Sequence, residues 1–289
     1  MTLNQATVVI SGGSRGIGEA IALRCARDGA NVALLAKSAE ENPNLPGTVH
    51  SVAAAAEAAG GRALPLVGDI RDDDFVVAAV RTVVERFGGV DVVINNASAI
   101  DLSSSETISM RKYDLMHDIN ARGAFLLART AIPHLRASAN AHVLTLSPPI
   151  LTAPRWFGAH TAYTMSKYAM SLVTLGLSEE LRGDGIACNS LWPRTAISTA
   201  AVRMLMGPEF ARHARKPEIM ADAAHAVLTR PASTCTGNFF IDDEVLEEEG
   251  VADFDSYLDG GRPEDLALDA WVEPKGPHDP RLTFGRASR

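Results

Sequence analysis

Seven short runs of apolar, often β-branched residues punctuate the chain: 7–10 (TVVI), 32–36 (VALLA), 63–67 (ALPLV), 91–95 (DVVIN), 142–146 (HVLTL), 186–191 (IACNSL) and 238–241 (NFFI). Each has strand length, and most are continuously apolar rather than alternating, the pattern of strands covered on both faces. Stretches with helical spacing lie between them. Ile17, Ala20, Ile21 and Cys25 share one face, and Phe75, Ala79, Val83 and Phe87 share another at intervals of four. The alternation predicts an α/β fold with a doubly wound, parallel, seven-stranded sheet. Several runs stop just before Gly, Asn, Ser or Pro, which gathers polar and flexible residues at the carboxyl edge of the sheet, where such folds bind ligands.

Two segments break the pattern, 38–50 (SAEENPNLPGTVH) and 148–161 (PPILTAPRWFGAHT), and their prolines make both long loops. From Gly250 onward Gly, Asp and Pro accumulate and periodicity fades. The chain therefore reads as one domain over 1–250, followed by an extended C-terminal tail over 251–289 that could pack on a partner subunit.

Composition narrows the partners. Lys and Arg number 27 against 35 Asp and Glu, a formal charge of −8, which argues against nucleic acid and anionic membranes. An anionic cofactor would have to be held locally, by a helix N-terminus or single basic residues. Cys25, Cys188 and Cys235 are widely separated, which fits a reduced, cytoplasmic compartment. Residues 1–10 lack the pattern of a signal peptide and no apolar run approaches ~18 residues, so no membrane span is expected. The eight histidines show no paired metal spacing, and no metal is expected.

Directly after the first run comes Ser11-Gly12-Gly13-Ser14-Arg15-Gly16-Ile17-Gly18, opening a helix over 17–28. Strand, glycine turn and helix in that order mark the Rossmann dinucleotide fingerprint: the glycines let backbone approach a pyrophosphate, which the free N–H groups of the helix start attract. Where an NAD site usually offers an acid to the ribose, the second run ends in Ala36-Lys37-Ser38. Lys37 with Arg15 can pair with a 2′-phosphate, so NADP(H) is favoured; Glu40 or Glu41 meeting a ribose hydroxyl would give NAD(H) instead. Asp69, ending the third run, either accepts a hydrogen bond from adenine or caps the helix that begins near Asp72.

Tyr163 and Lys167 stand four apart and share a face if 161–180 is helical, so the lysine charge should lower the tyrosine pKa and fit it for proton transfer to a carbonyl oxygen. Asn95-Asn96-Ala97-Ser98 follows the fourth run, Asn120 lies downstream and Ser147 follows the fifth. In this order, with the glycine turn, these residues resemble the short-chain dehydrogenase/reductase family over roughly residues 6 to 250. Leu-Ser-Pro-Pro (146–149), Leu-Trp-Pro-Arg-Thr-Ala-Ile (191–197) and Thr-Gly-Asn-Phe (236–239) resemble its hydroxysteroid dehydrogenase-like subgroup.

The resemblance implies a homodimer or homotetramer that transfers hydride between a nicotinamide and a carbonyl or alcohol substrate. Residues Gly12 to Gly18 would cradle the phosphates, with Lys37, Asp69 and Ala97 lining the cofactor site and Asn95 steadying the central strand and the cofactor loop. Asn120 would hold a helix bend and a relay water, Tyr163 would be the acid/base, and Lys167 would bind the nicotinamide ribose. Pro193 and Thr195 would meet the carboxamide. One departure stands out: the family ends its fifth strand in two serines, whereas Ser147 here is followed by Pro148, which has no hydroxyl. Either Ser147 shifts to serve the substrate oxygen, or another hydroxyl such as Thr161 substitutes, or catalysis runs without one. Larger relatives carry a sterol-carrier domain, which the 39 residues after Gly250 would not accommodate. Trp156, Phe157, Trp192, Met204, Leu205 and Met206 would give the site an apolar, lipid-tolerant wall, or serve simply as core. The alternatives are a nucleotide-binding regulatory or lipid-handling protein with little turnover, and an epimerase or dehydratase with tightly held cofactor.

Overall fold

In the computed structural model, which describes residues 2–43, 45–276 and 283, all seven runs are strands. They are β1 (Thr7–Ser11), β2 (Asn31–Ala36), β3 (Arg62–Val67), β4 (Val92–Asn95), β5 (His142–Thr145), β6 (Ala187–Trp192) and β7 (Phe239–Ile241). Every pairing is parallel, in the order β3-β2-β1-β4-β5-β6-β7. The order reverses between β1 and β4, which opens a crevice at their carboxyl ends. The helices are α1 (Gly16–Arg27), α2 (Val49–Ala58), α3 (Asp73–Phe87), α4 (Met110–Met116), α5 (Ala124–Leu135), α6 (Thr161–Glu180), α7 (Ala200–Met206), α8 (Glu218–Leu228) and α9 (Asp242–Glu248).

Burial on both faces explains the unbroken apolar runs. Val8, Ile10, Leu34 and Ile94 share a core with Ile21 of α1, Val52 of α2 and Val227 of α8. The alternate residues Val9, Ala33, Leu35 and Val93 share the other with Val80 of α3, Leu127 of α5 and Leu177 of α6. Asp72 caps α3 by accepting from the amides of Asp74 and Phe75, and Gly88, at φ 93°, ends it. Asp69 is therefore not the cap. Both proline-rich segments are connections, though α2 begins within the first, capped by Thr48. Between α4 and α5, residues His117–Gly123 form a widened π-helical turn, and this is the bend that carries Asn120.

The segment after Gly250 is irregular, as its composition suggests, yet within the described residues it packs on the chain's own body. Leu266, Ala267, Leu268, Trp271 and Val272 are buried. The Ala196 amide donates to Ala267 (2.9 Å) and the Asp269 amide to the Arg194 carbonyl (2.9 Å). Residues 277–282 and 284–289 of the expected tail lie outside the described residues. Among the described residues no helix is long and apolar enough to cross a membrane, and no group of three His, Cys, Asp or Glu side chains is placed to hold a metal ion.

His142 opens β5 buried, with Nε2 3.1 Å from the Arg230 carbonyl, and burial pushes its pKa down to about 4. The unfolded chain takes up that proton near the ordinary value of about 6.5. Between those values the unfolded state binds more protons, so stability is lost as pH falls from about 6.5 to about 4. The loss is on the order of 3 kcal/mol at about 1.4 kcal/mol per unit. Urea unfolding of a His142→Asn variant should show a correspondingly smaller fall in stability across that window than the wild type.

Candidate functional site

The glycine turn is built as its sequence requires. Gly12 and Gly16 take left-handed backbone, at φ 70° and 59°, where a side chain is strained. A Cβ on Gly18 would lie 2.5 Å from the Gly12 carbonyl oxygen and 2.6 Å from the Asn96 side chain, so only glycine lets α1 start this close to the turn. Gly13 packs against Leu34, which a Cβ would strike. Asn96, rather than the expected Asn95, holds the turn: its Nδ2 donates to the carbonyls of Ser11 and Gly12, both at 3.0 Å. Asn95 is buried and directed at Thr145 (3.5 Å).

A cavity of about 500 Å³ runs from this turn along the carboxyl edge of the sheet. Its near end is formed by Gly12, Ser14, Arg15, Gly16 and Ile17, its flank by Lys37, Asp69 and Ala97, and its far end by Tyr163, Lys167 and Pro193. Most predicted residues thus meet in one place. Gly13, Gly18, Asn95 and Asn120 support its walls from behind. Thr195 and Ser147 are not on it. The Thr195 hydroxyl is buried without a partner, and the Ser147 hydroxyl lies 3.0 Å from that of Ser190, inside the sheet. Ser147, one of the candidates for the substrate oxygen, is thus directed at Ser190 and not at the cavity.

The basic residues are partly occupied. Arg15 donates to the carbonyls of Leu45, Pro46 and Gly47 (3.1, 3.1 and 2.7 Å), holding these residues beside the glycine turn. Lys37 lies 3.2 Å and Arg71 2.7 Å from the Asp69 carboxylate. Hydrogen bonds from Arg71, with Lys37 assisting, hold that carboxyl well below the usual carboxylate range.

Tyr163 and Lys167 lie one turn apart on α6 and are both buried. Nζ of Lys167 donates to the Leu146 carbonyl at the end of β5 (2.6 Å) and stands 5.0 Å over the Trp192 ring. Asn120 ties this helix to the crevice: its Oδ1 accepts from the Ala99 amide (2.7 Å), and its Nδ2 donates to the Ala99 carbonyl (3.0 Å) and the Ser166 hydroxyl (2.9 Å).

The expected electrostatics are reversed. Burial, together with the charge of Asp269, raises the Tyr163 pKa, while the Ser98 side chain, hydrogen-bonded to it, opposes the rise. Burial also pushes Lys167 down to about 7, against the charge of Asp269. Desolvation outweighs attraction here because neither group keeps its water shell. Asp269 is itself buried, and its pKa stands well above the ordinary value.

Sequence reasoning missed Asp269, Trp271, Ser98, Asn96 and His160. Asp269 and Trp271 belong to the segment beyond Gly250, where the apolar residues of LALDAWV (266–272) were the available signal. Trp271 roofs the far end, 5.6 Å from Tyr163 and 5.5 Å from Trp192, and donates to the Trp156 carbonyl (2.8 Å). Of the expected apolar wall, Trp192, Met204 and Leu205 line the cavity, and Trp156 and Phe157 pack in the cluster around Tyr163.

A doubly wound parallel sheet, a glycine turn opening α1 and a Tyr-Lys pair at the same crevice define a nucleotide-binding dehydrogenase class. Residues 6–206 match the short chain dehydrogenase family, and the chain belongs to that family of oxidoreductases, which work with a nicotinamide cofactor. It is 52% identical over 270 residues to hydroxysteroid dehydrogenase-like protein 2 of Danio rerio, covering 92% of this chain and 65% of that protein. Among solved structures, a short chain dehydrogenase from Mycobacterium thermoresistibile is 51% identical with a TM-score of 0.90, over 98% of this chain and 99% of the other. A candidate dehydrogenase from Xanthomonas campestris is 54% identical with a TM-score of 0.91, over 95% and 100%.

Arg194 fixes the roof. It is buried, its guanidinium meets Asp243 (2.6 Å), Glu244 (2.5 Å) and the Glu273 carbonyl (2.8 Å), and its own carbonyl accepts from Asp269. An Arg194→Met variant leaves Asp243 buried and unpaired, and its stability should fall by about 3–5 kcal/mol. Chemical denaturation measures the fall, and a red shift of tryptophan emission would report the loosening of Trp271.

Proposed function

We propose that the chain is an NADP(H)-dependent oxidoreductase that interconverts a carbonyl and an alcohol on an apolar, lipid-like small molecule, with Tyr163 as general acid/base. The observation that carries this reading is the joining of the glycine turn and the Tyr163–Lys167 pair by one cavity of about 500 Å³. The turn fits a dinucleotide: its glycines occupy positions a Cβ would fill, and the first-turn amides of α1 open beside it. The nicotinamide, when bound, supplies or accepts the hydride.

The protein's part is positioning and proton transfer. Its raised pKa keeps the Tyr163 hydroxyl protonated at neutral pH, the form needed to give a proton to a carbonyl oxygen during reduction. Lys167, with its pKa near 7, readily exchanges a proton at Nζ and can serve the tyrosine's reprotonation. Pro193 and Trp192 flank the same end, where Trp271 excludes water. Lys37 and Arg71 flank the single carboxylate of Asp69, and Arg15 makes its three hydrogen bonds to carbonyls rather than to acids. That leaves local positive charge suited to a 2′-phosphate and supports NADP(H) over NAD(H).

Exposed Phe125 on α5 and Met165, Leu172 and Leu175 on α6 support a homodimer or homotetramer, and three free, buried cysteines support a cytoplasmic setting. A second reading, nucleotide binding with little turnover, draws on the Ser147 hydroxyl facing Ser190 and on Pro148 beside it.

Tyr163→Phe should lower turnover of a ketone at least 100-fold while leaving NADPH affinity within about twofold, measured by absorbance at the nicotinamide band and by cofactor titration. Full turnover in that variant would remove the assignment. Replacing Lys37 with Ala should reduce the NADPH-over-NADH preference in kcat/KM by about tenfold, the loss of ~1.4 kcal/mol of phosphate attraction. An unchanged ratio would move the cofactor assignment toward NAD(H).

A further inference from the structure

The position after Ser147 supplies no group to hold the substrate oxygen against Tyr163, and the Ser98 hydroxyl, which also lines the cavity, is hydrogen-bonded to Tyr163 itself. Pro148 offers neither hydroxyl nor N–H. The Ser147 hydroxyl lies against Ser190, and the Thr161 hydroxyl donates to the Phe157 carbonyl (3.2 Å). Each hydroxyl that could substitute by sequence position is turned elsewhere.

A different side chain stands ready. His160 lies immediately before α6, three residues ahead of Tyr163, and lines the same cavity as Tyr163, Lys167 and Trp192. It is only 9% exposed, and both ring nitrogens are buried without a hydrogen-bond partner. Leaving a buried polar group unpaired is costly, so two on one ring beside a cavity describe a group awaiting a partner from the ligand. The backbone fixes the ring's place, because the His160 carbonyl accepts from the Thr164 amide (2.9 Å) in the first bond of α6. His117 and His142 each have one buried unpaired ring nitrogen, but neither lines this cavity, and Nε2 of His142 meets the Arg230 carbonyl.

We propose that His160 is the substrate-orienting residue of this site: one ring nitrogen hydrogen-bonds the reacting carbonyl or alcohol oxygen, in the place a serine hydroxyl would otherwise take. The inference rests on the oxidoreductase reading above. A neutral imidazole has one donor and one acceptor nitrogen, so it serves both directions. The N–H donates to the carbonyl oxygen of a ketone. The bare nitrogen accepts from the hydroxyl of an alcohol. Either leaves Tyr163 free for the proton. The second ring nitrogen can meet a further polar group, which favours substrates carrying a second oxygen near the reacting carbon, such as hydroxy or oxo compounds on an apolar frame.

The test compares wild type, His160→Phe and His160→Gln, each saturated with NADPH, on a panel of aryl, alicyclic and 3-oxo ketones. His160→Phe should lose 10- to 100-fold in kcat/KM on any ketone the wild type reduces, with cofactor affinity and melting temperature unchanged, and His160→Gln should recover at least a third of the lost activity. Equal kcat/KM in wild type and His160→Phe would overturn the role of His160 while leaving the oxidoreductase reading intact. A second readout is independent of turnover: in protein labelled with ¹⁵N-histidine and loaded with NADP⁺, the ring signals absent from His160→Gln should shift on adding cyclohexanone. If no ketone in the panel is reduced, the oxidoreductase reading fails, and these signals still decide the contact. Signals that stay in place through saturation overturn it.

Discussion

All seven strands run the same way, and the site depends on that constraint. A parallel sheet must be connected by crossovers, and here helices cover both faces, so the backbone ends facing the ligand edge all come from one end of the strands. Ser11, Asn95, Leu146 and Trp192 therefore arrive side by side although they are far apart in the chain. The reversal of strand order between β1 and β4 removes a covering helix from the edge at that point. The glycine turn fills one side of the gap and Asn96 reaches across it to hold the turn's carbonyls. The shape of the turn is thus fixed by backbone geometry and by the Asn96 side chain that ties it to β4.

The substrate end is fixed differently, by charge. Arg194 leaves β6 at the far side of the crevice and is held by two acids of α9 and a carbonyl of the returning C-terminal segment. That clamp carries Asp269 into contact with the electrostatics of Tyr163 and Lys167, and Trp271 over their rings. Three titratable groups then share a water-poor space in which charge is costly for each. The tyrosine keeps its proton, the lysine gives its own up more easily, and the aspartate rises. A Tyr-Lys pair read alone suggests a tyrosine made acidic by its neighbour. With burial included, the tyrosine holds its proton more tightly and the lysine less so, the latter against the charge of Asp269.

What was legible in the sequence was whatever local pattern decides. Strand identity follows from length, β-branching and continuous hydrophobicity, and the structure places all seven strands within a residue or so of the runs. Gly12, Gly16 and Gly18 were legible because each is required by a steric fact of its own. What escaped was set by tertiary return. Asp269 sits in a segment without periodicity, where only the apolar residues beside it in LALDAWV hint at burial. Ser147 looked available because its place in the chain is right, but the pairing of β5 with β6 turns its hydroxyl to Ser190. Asn95 and Asn96 are neighbours with opposite orientations, and only the end of β4 tells which one reaches the turn.

The two halves of the cavity differ in rigidity for the same reasons. The cofactor half is bounded by β-strand ends and by a helix start that cannot move without breaking the core beneath them. The substrate half is closed on one side by the clamped C-terminal segment and on the other by α7, where Met204 is 62% exposed. Methionine is flexible and polarisable, and it adapts to ligands of varied shape. Thr199 caps α7 and its methyl group stands against Gly16 of the glycine turn, so the two ends of the cavity wall meet there. The cavity is thus narrow in its tolerance at the glycine turn and softer at α7, with its buried polar groups concentrated around Tyr163.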